Sequence, residues 1–138
     1  MRTKRCLTLE DVKIIASNCE LEAIRQGWPV TIAVADDGGH LMWLQRLDGA
    51  PLTSPQIAAG KAHTAAIGRK PSKVYEDMVN NGRVAALSMP GDLTHLEGGE
   101  PITVDGEVVG AVGVSGVKSP EDAQVARAGI KFFLDRLV

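Results

Sequence analysis

The sequence predicts an α+β fold: one mainly antiparallel sheet with helices packed on it. Two observations carry that expectation. Short β-rich runs come in pairs joined by Asp/Gly turns, and segments with helical apolar spacing flank those pairs without alternating singly with strands. At 138 residues the chain is most simply one domain, residues 1–138. A chain of that length buries roughly two-thirds of its unfolded surface.

Thr8 is placed to cap the first helix, with Glu10 and Asp11 in the turn where the helix dipole favours carboxylates. Val12, Ile15, Ala16, Cys19 and Ala23 then form one apolar face. Gly27 ends this helix and Pro29 prevents its continuation. From Val30 to Ala35 large and small residues alternate, with Val30, Ile32 and Val34 on one face and Thr31, Ala33 and Ala35 on the other. Asp36-Asp37-Gly38-Gly39 is a turn, His40 to Leu47 a second strand, and Asp48-Gly49-Ala50-Pro51 breaks it.

Ser54 as cap and Pro55 at the first helical position open a helix that runs to about Gly68. Its surface of Ala58, Ala59, Gly60, Ala62, Ala65 and Ala66 lets it lie close to a neighbour. Ser72 is expected to cap a short helix through Met78, and Arg83 to Ser88 reads equally as helix or strand. Met89 to Glu100 is a glycine-containing loop. Pro101 to Val104 and Glu107 to Val114 form a hairpin about Asp105-Gly106, the dipeptide suited to a type I′ turn. Its second strand carries Gly110, Gly113 and Gly116, positions where another group approaches the backbone. A packed helix is the simpler such group and a ligand the other. Ser119 as cap, Pro120 at the first helical position and Glu121 and Asp122 as first-turn acids open a last helix, with Val125, Ala128, Phe132 and Leu137 expected inward.

Composition removes several function classes. The net charge of −2 and the scarcity of aromatic residues argue against a nucleic-acid surface. No apolar run approaches the length of a membrane span. The basic N-terminus is not followed by an apolar stretch, so a cytoplasmic location is expected. Cys6 and Cys19, without CxxC spacing, read as reduced thiols.

No strong catalytic motif is present: the glycines form neither a nucleophile elbow, a phosphate loop nor a dinucleotide fingerprint. His40, His63 and His95 lie far apart. His95 in the glycine-rich loop suits a general acid/base or axial-ligand role, with Glu97 beside it. Asp92, His95 and Glu97 have the residue types of a mixed-ligand metal loop, but such polar loops are common and no metal is assigned. Lys61, alone among small residues, either snorkels to water or lines a cavity. If Lys61 converges with Arg46 and the Gly98-Gly99 amides, a pocket for a small carboxylate results. An exposed lysine and a surface ion pair account for the same residues equally well.

Several stretches together resemble the GlcG/HbpS-like family: Val34-Ala35-Asp36-Asp37-Gly38-Gly39-His40-Leu41, Arg46-Leu47-Asp48-Gly49-Ala50, Lys61-Ala62-His63-Thr64-Ala65, Gly98-Gly99-Glu100-Pro101 and Asp105 to Gly116. The match runs from about Leu7 to the C-terminus. The resemblance implies an antiparallel sheet of about five strands flanked by helices, with profilin- or PAS-like layering, and assembly into homo-oligomers. It also implies encoding beside glycolate and diol catabolism genes, or fusion to corrinoid adenosyltransferases. One branch consists of secreted haem-binding, haem-degrading sensors. The cleft motifs carried over are Arg46, Lys61, Gly98, Gly99, Gly113 and Ser115; no haem ligand is carried over. Two functions are therefore expected as alternatives. One is a binding protein for haem, a related tetrapyrrole or a small organic acid beside the 98–116 hairpin. The other is a catabolic isomerase or lyase, in which His95 or Glu97 moves a proton on a bound carboxylate. Neither implies nucleic acid or membrane as a partner.

Overall fold

The computed structural model describes residues 1–137. In chain order the elements are α1 (Leu9–Gln26), β1 (Thr31–Asp36), β2 (Leu41–Arg46), α2 (Ser54–Gly68), α3 (Lys73–Asn80), a 3-10 helix (Val84–Ser88), β3 (Gly99–Val104), β4 (Glu107–Ser115) and α4 (Ser119–Arg136). The strands form one antiparallel sheet in the order β2-β1-β4-β3. Four strands, not about five, make the sheet. The ambiguous 83–88 stretch winds into the 3-10 helix and adds no strand.

Alternation along β1 and β4 creates two unlike faces. Ile32, Val34, Val112 and Val114 face α1 and α4, and pack with Val12, Ile15, Cys19, Val125, Ala126, Ile130 and Phe133. Ala33, Ala35 and Ala111 face α2 and meet Ala58, Ala62, Ala65 and Ala66. On this second face the layers are unusually close. A Cβ on Gly113 would fall on the Ala58 carbonyl and the Ala62 amide, so helix packing is what that glycine serves. Cys19 lies inside the first layer, where burial pushes its thiol up to about 12 and keeps it protonated; Cys6 is exposed.

Thr8 and Asp11 form a reciprocal capping box at α1, and Asp105-Gly106 turns with both φ angles positive, 49° and 80°. Three other local expectations are corrected. Neither Ser54 nor Ser72 caps a helix with its side chain. The Ser54 hydroxyl donates to the Pro51 carbonyl and lies 2.7 Å from Thr31 Oγ1, tying α2 to β1. The Ser72 hydroxyl donates to the Leu96 carbonyl and accepts from the Gly99 amide at 2.8 Å. At α4, Lys118 takes the cap position and Glu121 accepts from its amide.

The inward face of α4 is also rotated from the expected one. Val125 is buried, but Phe132 and Leu137 are exposed and Ala128 is half-buried; Ala126, Ile130 and Phe133 enter the core instead. The reason lies in the first turn, where Asp122 is itself buried. Residues four, eight and eleven positions after it share its face.

Candidate functional site

The expected cleft residues divide sharply. Lys61 projects from α2 past the end of β4. Its ammonium donates to the Val114 carbonyl at 2.9 Å and to Asp122 Oδ2 at 3.1 Å. Both members of this ion pair are only 2% exposed. Asp122 Oδ1 accepts from the Val117 amide. Burial pushes the Asp122 carboxyl above the usual carboxylate range, opposed chiefly by the charge of Lys61.

Gly98 and Gly99 do converge on Lys61. A Cβ on Gly98 (φ 131°) would sit 2.7 Å from the lysine Nζ, and one on Gly99 would strike the Lys61 carbonyl. These two glycines make room for the lysine, and the anion it meets is Asp122, an internal one. The Gly99 amide is bonded to Ser72. Ser115 is buried at the end of β4. Arg46 ends β2 on the far side of β1, in register with Thr31, and is exposed. Among the described residues it makes no ion pair or side-chain hydrogen bond. The structure thus gathers Lys61, Gly98, Gly99 and Gly113 into a packed joint between α2, β4 and α4, and leaves Arg46 apart.

The other expected centre, His95, lies in a groove of about 540 Å3 between α3, the 3-10 helix and the 89–98 loop. Val79, Leu87, Leu93 and Leu96 supply apolar walls; Glu76, Asn80 and Thr94 add polar groups. Leu87 and Leu96 are exposed despite their size. The loop is fixed at several points. The Thr94 amide donates to Thr64 Oγ1 at 2.7 Å, Ser72 holds Leu96, and the Glu97 amide donates to Glu76 Oε1.

His95 Nε2 lies 2.8 Å from the Ala86 carbonyl, to which it can only donate. That bond fixes the neutral tautomer: Nε2 carries the proton and Nδ1 keeps the lone pair. Tyr75 supports the ring edge-on, with centroids 5.9 Å apart. His63 differs. Its nitrogens face the Gly39 and Gly91 carbonyls at 2.9 and 2.7 Å, both of them acceptors, so the ring lies between the loop and the β1–β2 turn with no nitrogen turned to open solvent. His95 and Glu97 share no hydrogen bond among those present. Among the described residues, no cluster of three or more His, Cys, Asp or Glu side chains is arranged to hold a metal. No helix among them is long and apolar enough to cross a membrane.

Residues 7–131 match the family model described as haem degrading protein HbpS-like. The chain belongs to that family. It is 50% identical over 115 residues to protein GlcG of Escherichia coli K12, covering 83% of this chain and 85% of GlcG. Among solved structures it is similar to HbpS of Streptomyces reticuli, in a double-mutant form, at 30% identity and TM-score 0.87, covering 96% of this chain and 90% of that one. A PduOC:haem complex superposes with TM-score 0.82 at 24% identity over 92% of this chain and 94% of that one, a likeness of fold.

The residues that sequence reasoning missed are Asp122, Ser72 and Thr64. Asp122 already had an explanation as a first-turn acid, and nothing local marks it as a partner for a lysine on another helix.

Proposed function

We propose that this HbpS-like protein binds haem or a closely related tetrapyrrole in the groove beside His95. The observation that carries this reading is an imidazole with a free, tautomerically defined Nδ1 set among apolar side chains at an accessible surface. Apolar walls suit the faces of a macrocycle, and the Ala86 carbonyl would raise the basicity of a ligating ring, as second-shell acceptors do. The bound group would supply redox and ligand-binding chemistry. This chain's residues would hold and orient it: His95 as ligand, Tyr75 and Ala86 as supports for the ring, Leu87, Leu93 and Leu96 as walls. Family membership and the likeness to HbpS support the same ligand class.

Two other expectations draw no support from the geometry. A small carboxylate at Lys61 would have to displace Asp122 from a buried ion pair. An acid-base mechanism would have His95 or Glu97 move a proton on a carboxylate held nearby, and the lysine expected to hold that carboxylate is instead buried against Asp122.

The test is the visible spectrum of the protein with stoichiometric haemin. A sharp Soret band that shifts on His95→Ala, and is unchanged on His63→Ala, is expected. A broad band following free haemin, or one indifferent to His95, overturns the proposal.

A further inference from the structure

Among the described residues, His63 is the one histidine with an acceptor carbonyl at each ring nitrogen. A neutral imidazole carries one N–H and one lone pair, so it donates to the Gly39 carbonyl or to that of Gly91, never to both. With a second proton both nitrogens donate. The neutral ring would leave a lone pair facing a carbonyl oxygen at 2.9 or 2.7 Å.

The two carbonyls are held unequally. Gly39 is buried, and its turn is closed by the Asp36 amide on the His40 carbonyl and the Gly39 amide on the Asp36 carbonyl. Residues 89–92 are exposed and pass through two successive positive φ angles, 102° at Gly91 and 55° at Asp92. Among the described residues, the contact with His63 is the only hydrogen bond made by 90–93. From Thr94 on, the loop has anchors of its own on Thr64, Ala86, Ser72 and Glu76.

We propose that His63 is a proton-operated latch on the tip of this loop, residues 89–92. As the imidazolium it holds Gly91 against the β1–β2 turn. On losing a proton it keeps the buried Gly39 carbonyl and releases the exposed Gly91. The tip lies over Ile67, whose Cδ1 is 3.6 Å from where a Gly91 Cβ would stand, and release uncovers that side chain. Docking and protonation favour each other, so the tip closes as pH falls through the histidine range and opens as it rises.

The charged groups on the elements packed here are Arg69 at the end of α2, Arg46 on β2, Asp36, Asp37 and His40 at the turn, and Asp92 in the tip. Asp36 is engaged with His40, Asp37 with Lys4, and the Arg69 guanidinium with the Asp37 and Ala66 carbonyls. None of them bonds to the His63 ring, whose charge is met by the two carbonyls.

Nuclear magnetic resonance on the full chain tests this between about pH 8 and about pH 5, the span of histidine's charge change. Ring-nitrogen spectra are expected to show His63 gaining its second proton, with the Gly91 carbonyl carbon and the Asp92 amide shifting in the same step. His63→Phe keeps a ring and removes both donors, so the shift at 91–92 is lost; if that variant does not fold, the wild-type titration decides alone. His40→Gln takes away the neighbouring imidazole and leaves the 91–92 shift in place. A His63 ring that keeps a single proton throughout, or gains the second while Gly91 and Asp92 stay still, overturns the latch. So does a 91–92 shift that survives in folded His63→Phe or vanishes in His40→Gln. No ligand enters the measurement, which is therefore independent of what the His95 groove binds.

Discussion

Lys61 Nζ and Asp122 Oδ2 lie 3.1 Å apart in a joint that water scarcely reaches, and they join helices on opposite faces of the sheet. The lysine passes the end of β4 through a gap that Gly98 leaves open. Each charge is bearable only because the other is there. Asp122→Ala strands a buried ammonium and is expected to cost roughly 3–5 kcal/mol, read by urea denaturation. A cost under about 1 kcal/mol would mean that water enters the joint.

Lys61→Met has a different signature. With its counter-charge gone, the Asp122 carboxyl is governed by burial, which already pushes it upward. A carboxyl with a raised folded-state pKa binds its proton more tightly when folded, so folding is favoured as pH falls through that value. The variant should therefore be much less stable than wild type at pH 7 and regain part of the difference toward mildly acid pH. Parallel stability curves for the two proteins between about pH 7 and 4.5 would contradict this.

Asp36 gives the opposite sign. Its folded-state pKa lies below the ordinary value of about 3.9, so its contribution is present above that value and lost as pH falls through the lower one. Asp36→Asn should remove that acid-sensitive part. The gap between wild type and variant then narrows below about pH 4, which thermal unfolding at stepped pH measures. A gap that widens on acidification refutes the assignment.

Gly113→Ala should be among the most disruptive single-methyl additions in the chain. The atoms in its way belong to the α2 backbone, which cannot rotate aside as a side chain can. A loss of about 1–3 kcal/mol or more is expected from overpacking. A neutral result would show that α2 lifts off the sheet freely.

Ser72→Ala leaves the Leu96 carbonyl and the Gly99 amide without their partner. About 1–3 kcal/mol is the usual cost of such unsatisfied groups. Hydrogen exchange should accelerate at Gly99 and across the 94–97 segment first. Uniform acceleration through the sheet would instead indicate a global effect.

What the sequence shows and what it hides follow the range of the interactions involved. The α1 face, the capping box at Thr8 and the Asp105-Gly106 turn depend on neighbours within one or two helical turns, and all are readable as written. The small-residue surface of α2 and Gly113 announce a close approach, and the two prove to meet each other. Ser54 and Ser72 look like caps because serine before a helix usually is one; the Ser54 hydroxyl instead bonds back to Pro51 and meets Thr31, and that of Ser72 is drawn to the distant Leu96. The rotation of α4 follows from Asp122, whose partner lies 61 positions away. At the candidate site, His95 stands out by its loop, but its apolar surroundings come from α3 and the 3-10 helix, and no local pattern joins those to it.

The strand order has a bearing on how the chain is made. β1 is complete early, yet its central partner is β4, with Thr31 lying opposite Ser115. A chain emerging from the ribosome therefore holds α1 and the first hairpin with their apolar faces uncovered until most of the polypeptide has followed. Pairing so distant in sequence pays its loop-closure entropy late and folds slowly. The interval before β4 arrives is when the nascent protein is most exposed to aggregation and most in need of chaperone cover.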